Sequence, residues 1–148
     1  MEQKNMIMKE GVKLEEILYH LKNNIKTEIK PSTIDGVGVF AIRDIKKGDN
    51  VFPKWEYETG LYYISNDSFN KLPSDIKRLV DRYYISREPN FRIFRLFNGQ
   101  NFFYNSFCFC NSSYPNPSNA NISNDGYALR DIQKGEEILE DYSENISL

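Results

Sequence analysis

The 148-residue sequence has few residues that build metal or disulfide sites, because it contains two cysteines and one histidine. Cys108 and Cys110 form a Cys-x-Cys pair, and only His20 is present to add a nitrogen ligand. A tetrahedral zinc site needs four such ligands. We therefore predict no metal site and expect both thiols to be buried as small apolar side chains.

The sequence also lacks a long apolar run and a basic run. No stretch approaches the roughly 20 apolar residues of a transmembrane helix, and residues 1–30 contain no signal-peptide core. The formal net charge is −2, which argues against a protein that coats nucleic acid. We expect an intracellular protein, cytoplasmic or nuclear, that contacts neither membrane nor nucleic acid directly.

What the sequence does contain is typical of one globular domain. Hydrophobic residues make up 40% and aromatic residues 14% of the chain, enough for a core at this length. Leu14, Ile17, Leu18, Leu21 and Ile25 recur at helical spacing and predict an amphipathic helix. We predict a mainly β fold with short helices (α+β), with an N-terminal helical extension over residues 1–30 and the main domain over residues 31–148.

Two segments of the chain repeat one pattern. Ala41–Phe52 is echoed by Ala128–Leu139, and each predicts a strand, a Lys-Gly turn and a second strand. Between them, Phe91–Phe97, Asn98-Gly99 and Phe102–Phe109 predict a hairpin with a type I′ turn. We expect two similar β elements to bracket the domain.

An irregular loop follows the predicted hairpin. Residues 111–121 are rich in Asn, Ser and Pro, which favour local turns over helix or strand. Backbone groups in such a loop need hydrogen-bond partners, and a ligand can supply them. The loop is therefore a candidate binding segment.

Two motifs carry a family resemblance. The later one is Phe109-Cys110-Asn111-Ser112-Ser113, an aromatic-x-Asn-x-Ser order, followed by Gly135-Glu136-Glu137-Ile138 and Asp141-Tyr142. The earlier one is Gly36-Val37-Gly38-Val39-Phe40-Ala41, followed by Lys47-Gly48-Asp49. In this order they resemble the two ends of a SET domain, the S-adenosylmethionine-dependent protein-lysine methyltransferase family.

The resemblance covers about Ile34 to Tyr142 and implies a fold, a cofactor and a set of site residues. The implied fold has small β-sheets and a knot-like C-terminal segment. The implied cofactor is S-adenosylmethionine, and Tyr142 is the implied catalytic residue. The implied cofactor-binding residues are Gly36, Val37, Gly38, Val39, Asn111 and Ser112. The candidates for the substrate channel are Tyr83, Tyr104, Phe107 and Phe109, each of which is otherwise a core residue.

The sequence departs from the family pattern in places. Ser112 stands where the family usually has His, and Cys108 where it usually has Arg. The family's Pro-Asn is either Pro115-Asn116 or Ser118-Asn119. The chain also ends without the zinc-binding cysteine cluster that closes the channel in many relatives. We expect the N-terminal helix or a second copy of the chain, as in small viral SET proteins, to cover the channel.

Three functions fit these observations. By resemblance, the chain is a protein-lysine methyltransferase acting on a histone or another basic protein tail, in chromatin and in the host nucleus if the source is a virus or pathogen. A degenerate SET module would bind a peptide without turnover, and a small β-rich interaction domain would bind no cofactor. The acidic residues around Tyr142 are either a solvated strand edge or an attraction for a basic peptide; they are Glu136, Glu137, Glu140, Asp141 and Glu144.

Overall fold

The structure is a computed structural model that describes residues 12–83, 86–87, 90–101 and 106–145. Seven strands are present in this part of the chain: β1 (Thr27–Pro31), β2 (Val37–Ala41), β3 (Gly60–Ser65), β4 (Ser86–Arg87), β5 (Phe91–Leu96), β6 (Asn111–Ser112) and β7 (Glu137–Glu140). The α-helices are α1 (Leu14–Tyr19), α2 (Asn66–Asn70) and α3 (Ser74–Tyr83). A π-helical turn spans His20–Asn24, and short 3₁₀ turns span Ser106–Phe109, Pro117–Asn119 and Tyr142–Asn145. Small sheets with short helices agree with the predicted fold class.

The chain divides into two compact units. The first unit comprises residues 1–25 and 54–104, and the second comprises residues 26–53 and 105–148. The predicted boundary between residues 30 and 31, and the knot-like C-terminal segment, stay predictions.

The first unit contains a three-stranded antiparallel sheet in the order β3-β5-β4. The chain is helical from Leu14 to Asn24, but it widens from α to π geometry at His20. Ile17 and Leu21 of this segment are fully buried, whereas Leu14 is partly exposed. Helix α3 buries Ile76, Leu79 and Val80 on one face, as an amphipathic pattern requires. Among the described residues, no helix is long and apolar enough to cross a membrane.

The second unit contains a four-stranded sheet in the order β1-β2-β7-β6. Strand β2 pairs antiparallel with both β1 and β7, and β6 pairs parallel with β7. The core below this sheet is apolar, and its buried members are Val39, Ala41, Ile45, Val51, Phe52, Cys110, Ile122, Ala128, Ile132 and Ile138.

The two echoed segments lie side by side in this unit and exchange equivalent hydrogen bonds. Ile45 and Ile132 donate to each other's carbonyl oxygens at 2.8 and 2.7 Å. Asp131 accepts from the amide of Lys47 at 2.9 Å, and Asp44 accepts from the amide of Lys134 at 2.8 Å. Each segment therefore caps the Lys-Gly turn of the other, in an arrangement close to two-fold symmetry.

The glycine of each turn has the same conformation. Gly48 and Gly135 have φ values of 89° and 93°, the left-handed region that a type II turn needs at its third residue. The Gly48 amide donates to the carbonyl of Ala128, and the Gly135 amide donates to that of Ala41, both at 2.8 Å. The sequence echo is thus a structural repeat of turn and flanking backbone.

The predicted hairpin after β5 is wrong in two respects. Residues Ser106–Phe109 form a 3₁₀ turn and not a strand, because the aromatic residue at its start, Phe107, packs on the core instead of alternating across a sheet. Gly99 alone in its turn has positive φ, whereas a type I′ turn needs positive φ at Asn98 as well. The turn is held from outside, because Trp55 exchanges backbone hydrogen bonds with Gly99 and Gln100 at 2.9 and 2.8 Å.

Candidate cofactor and catalytic site

The centre of the candidate site is a close approach of three elements at Gly38 in β2. A Cβ atom at this position would lie 2.2 Å from Glu137 Oε2 and 3.1 Å from Asn111 Nδ2. No side chain fits within such distances without displacing one of these groups. Gly38 therefore leaves the space that the side chains of Glu137 and Asn111 occupy.

The Asn111 amide ties the glycine-rich strand to β7. Its Nδ2 donates to the carbonyl oxygens of Val37 at 3.1 Å and Asp35 at 3.2 Å, and to Glu137 Oε2 at 2.8 Å. Two hydrogens shared among three acceptors fix the plane of the amide. Residues 35–38, Asn111 and Glu137 thus form one hydrogen-bonded cluster, although β2 and β6 are more than 70 residues apart in sequence.

Glu137 is the residue of this cluster whose role the sequence analysis missed. Its carboxylate accepts from Asn111 and also from Ser32 Oγ, at 2.9 Å to each oxygen. Its place as the second Glu of the Gly-Glu-Glu motif was a signal, but the motif gave it no binding role, and it was otherwise counted among the acidic residues around Tyr142. Ser32 carried no signal, because it is 105 residues from its partner.

Strand β7 is anchored on its other side by Asn121. The side chain of Asn121 is buried; its Nδ2 donates to the Glu137 carbonyl and its Oδ1 accepts from the Leu139 amide, both at 2.8 Å. The loop that precedes Asn121 is thereby held against the strand that carries Glu137. Sequence reasoning placed Asn121 only at the end of an irregular loop.

Tyr142 follows β7 and points its hydroxyl at the end of β6. The hydroxyl donates to the carbonyl oxygen of Cys110 at 2.5 Å, while 41% of the side chain remains exposed. Burial of the hydroxyl raises the pKa of Tyr142 above its ordinary value, and the charges of Glu140, Cys110 and Asp35 raise it further. The hydroxyl therefore keeps its proton at neutral pH, and its lone pairs face outward from the Cys110 bond.

The two serines after Asn111 differ in their environments. Ser112 Oγ accepts from the Tyr114 amide at 3.1 Å, so the residue that replaces the usual His shapes the local turn. Ser113 is buried, and its hydroxyl has no hydrogen-bond partner in the described part of the chain. A buried hydroxyl without a partner is uncommon, and Ser113 stands two residues after Asn111 in the sequence.

The candidate channel residues occupy different environments. Phe107 stacks on Phe52, with ring centroids 5.0 Å apart, and packs on the core of the second unit. Phe109 is partly exposed, and Tyr83 is the last residue of α3 in the first unit. Tyr104 lies outside the described residues. Their channel role stays a prediction.

The acidic residues near Tyr142 are not a uniformly solvated edge. Glu140 is buried, and Glu136 forms an ion pair with Arg130 at 3.2 Å. Asp141 accepts from the amide and hydroxyl of Ser143 at 3.0 and 2.6 Å. Within the ranges that the structure covers, no group of three or more His, Cys, Asp or Glu side chains is placed to hold a metal ion.

The family of the chain follows from its comparison with known proteins. The family model of the SET domain matches residues 36–143, which include Gly38, Asn111, Glu137 and Tyr142. The chain therefore belongs to the SET-domain family, a family of lysine methyltransferases that generally use S-adenosylmethionine. A search of curated proteins finds no match.

Several solved structures are similar to the chain. A Plasmodium falciparum protein, provisionally assigned as a histone methyltransferase, is 25% identical over 79% of this chain and 92% of that one, with a TM-score of 0.35. CpSET8 from Cryptosporidium is 24% identical over 78% of this chain and 56% of that one, with a TM-score of 0.37. A humanized mutant of the Chaetomium thermophilum Polycomb Repressive Complex 2, bound to the inhibitor GSK126, is 21% identical over 82% of this chain and 15% of that one, with a TM-score of 0.38.

Proposed function

We propose that this chain is an S-adenosylmethionine-dependent protein-lysine N-methyltransferase that acts on a histone or another basic protein tail. The observation that carries the proposal is the Asn111 bridge, which joins the Gly-x-Gly backbone to Glu137, while the Tyr142 hydroxyl donates to the carbonyl of Cys110, the residue before Asn111. These residues are the ones that match the family's motifs. They meet in one place of the second unit.

The residues of this cluster fit the chemistry of the cofactor. S-adenosylmethionine is cationic at its ammonium and sulfonium groups and would supply an electrophilic methyl group when bound. The cluster presents the Glu137 carboxylate and the carbonyls of Asp35 and Val37, and such acceptors suit a cation. We assign its binding to the backbone of residues 36–39, with Asn111, Ser112 and Glu137.

The substrate lysine must be neutral and aligned before it can attack. An unperturbed lysine has a pKa of about 10.4, and burial in an apolar channel lowers it. Alignment supplies most of the rate in a displacement of this kind. The Tyr142 hydroxyl is suited to alignment, because its proton is directed at the Cys110 carbonyl and its lone pairs can accept from the amine. We therefore propose that Tyr142 orients the amine and does not serve as its general base.

The negative charge beside Tyr142 supports a basic protein segment as the substrate. Asp141 and Glu144 lie in sequence beside Tyr142, and carboxylates at this point would attract a lysine-rich tail. We propose that such a tail is the substrate. A second copy of the chain as cover for the channel, and a cytoplasmic or nuclear location, including a host nucleus, belong to the same proposal.

The proposal is tested by methyl transfer from labelled S-adenosylmethionine to mixed histones. We expect label on lysine with the wild type and a loss of about a hundredfold or more with Tyr142→Phe, because the orienting hydroxyl is removed. Tyr127→Phe is the matched control, since Tyr127 is similarly exposed in the same unit. An equal loss in both variants would contradict the role of Tyr142.

A degenerate peptide-binding module is the second candidate, because Ser112 uses its hydroxyl in a local turn. It predicts that the wild type binds a histone peptide but transfers no methyl group. Binding measured by fluorescence polarisation beside the transfer assay separates the two candidates. Absence of both cofactor and peptide binding would contradict both.

A further inference from the structure

A second concave site lies within the first unit, apart from the cluster around Asn111. It is formed by α1, the π-helical turn and the segment at residues 54–57, and its volume is about 480 Å³. Sites for small ligands and single side chains fall in this range. The π-helical turn begins at His20, which lines the site, and such local widenings of helices are frequent at functional sites.

Aromatic rings dominate the wall of this site. Trp55 and Tyr57 lie with ring centroids 5.0 Å apart and planes tilted by 58°. His20 meets Trp55 edge-on at 5.1 Å, and Tyr19 adds a ring that is 62% exposed. Tyr57 is also 37% exposed, whereas Trp55 is buried. An aromatic corner of this kind attracts cations through the ring quadrupole.

The charges at the rim have the sign that favours a cation. Glu15, Glu16 and Glu56 line the site, and Lys54 is the one basic side chain among its described lining residues. Burial raises the pKa of Tyr57 above its ordinary value, and the charge of the nearby Glu16 carboxylate raises it further. Glu16 Oε2 accepts from the Lys13 amide at 3.3 Å, so this carboxylate is held at the rim of the site, where it can pair with a bound ammonium group.

The inner end of the site is held in place by a polar network. His20 Nε2 donates to the Asn101 carbonyl at 2.5 Å, and its Nδ1 accepts from Asn24 Nδ2 at 3.2 Å. Asn101 Nδ2 donates in turn to the Asn24 carbonyl at 3.0 Å. These bonds define the neutral tautomer of His20, and its burial lowers its pKa. A neutral ring does not repel a cation in the adjoining volume.

We propose that this site binds an alkylammonium cation, held between the rings of Tyr19 and Tyr57 and paired with the rim carboxylates. The cation would come from a lysine side chain, methylated or not, or from a free amine. The inference does not depend on methyl transfer, because it concerns different residues of a different unit. The two proposals can therefore fail separately.

The test uses the full chain and the fluorescence of Trp55, the one tryptophan of the sequence. Choline is titrated beside 3,3-dimethylbutanol, which has the same shape without the charge. We expect choline to change the fluorescence in a saturable and salt-sensitive manner and to bind at least tenfold more tightly than the neutral alcohol. Equal binding of the two, or no saturation with choline up to the high millimolar range, would overturn the proposal.

Three variants locate the binding. Tyr57→Leu keeps an apolar side chain but removes the ring, and Glu16→Gln removes the charge but retains an acceptor for the Lys13 amide. We expect each to weaken choline binding at least threefold, and Lys54→Met to tighten it. Tyr127→Leu, in the other unit, is the matched control and should leave binding unchanged. Unchanged binding in both Tyr57→Leu and Glu16→Gln would place the cation elsewhere and overturn the proposal.

A final arm distinguishes the source of the cation. N-acetyl-lysine amide and N-acetyl-trimethyllysine amide are compared with free choline under the same conditions. Tighter binding of either lysine derivative supports a side chain of a protein as the natural ligand, and tighter binding of choline supports a free amine. Binding of none of the three contradicts the proposal.

Discussion

The two echoed segments, Ala41–Phe52 and Ala128–Leu139, share a turn and a set of reciprocal hydrogen bonds but end differently. At equivalent positions after the Lys-Gly turn, the first has Asn50 and the second has Glu137. Asn50 Oδ1 accepts from the Phe52 amide at 2.9 Å and so closes a local turn. Glu137 instead begins β7 and accepts from Asn111 and Ser32. The residue at this one position thus distinguishes the segment that has only a structural role from the segment that contributes to the candidate site.

Replacement of these two residues tests that difference and has the largest expected effect. Glu137→Ala removes an acceptor of the Asn111 bridge, and misplacement of a site by about 1 Å can cost about a hundredfold in rate. Asn50→Ala removes only a local turn bond, so we expect a loss of about 1 kcal/mol in the free energy of unfolding and methyl transfer within about threefold of wild type. Transfer assays and urea unfolding measure both. Equal transfer by the two variants would erase the distinction between the copies.

The next largest effect is expected from substitution of a glycine at the candidate site, Gly38, compared with a glycine in a Lys-Gly turn, Gly135. Gly38→Ala forces a methyl group against Glu137 and Asn111, and overpacking of this kind costs about 1–3 kcal/mol. We expect about a tenfold weaker affinity for S-adenosylmethionine. Gly135→Ala is the control, because its Cβ would meet nothing within 4 Å and only its positive φ is strained, at a cost of about 1 kcal/mol. Weaker cofactor binding in Gly135→Ala than in Gly38→Ala would contradict the packing argument.

The reciprocal caps give a smaller and symmetric effect. Asp44→Ala and Asp131→Ala each remove one acceptor from the turn of the opposite segment. Both aspartates are exposed, so we expect each change to cost about 1 kcal/mol of stability, with the two values equal within about 0.5 kcal/mol. Urea unfolding followed by circular dichroism measures them. A cost confined to one variant would show that the two turns are not equivalent.

The smallest expected effect is a pH dependence of the free energy of unfolding that comes from Tyr142. This tyrosine follows the second echoed segment. Within the second unit, no tyrosine follows the first echoed segment before the unit breaks off at residue 53. The folded-state pKa of Tyr142 is raised by burial and by Glu140, so its contribution to stability is complete below pH 10 and declines as pH rises through the folded-state pKa. Solvent screening limits the contribution to less than about 0.5 kcal/mol. The free energy of unfolding, measured from pH 8 to 11, should decline more steeply in the wild type than in Tyr142→Phe. A steeper decline in the variant would reverse the sign of the shift.

Local sequence predicted the parts of this fold that local chemistry determines. The Lys-Gly turns depend on glycine at one position, and the helical segment from Leu14 to Asn24 depends on its apolar spacing, so both were predicted. The strand expected at residues 102–109 was wrong in its described part, because alternating aromatic residues also suit a 3₁₀ turn packed on a core. The turn at Asn98-Gly99 differs from a type I′ turn because Trp55, more than 40 residues away, supplies its backbone partners.

For the candidate site, too, sequence motifs predicted some residues but not the contacts between distant parts of the chain. Gly38, Asn111 and Tyr142 were predicted because they stand in motifs. The partners of Asn111, the Ser32–Glu137 bond and the anchor at Asn121 were not, because these bonds join residues 16 to 105 positions apart. Spacing along the chain contains no information about such contacts until the order of the sheet is known.

The central claim, that the cluster of Gly38, Asn111 and Glu137 holds the methyl donor, is tested most directly by calorimetric titration of S-adenosylmethionine into wild type and Asn111→Ala. We expect saturable heat with the wild type, an affinity at least about tenfold weaker in Asn111→Ala, and unchanged affinity in Asn50→Ala. Absence of heat from the wild type at high micromolar cofactor, or equal affinities in wild type and Asn111→Ala, would contradict it.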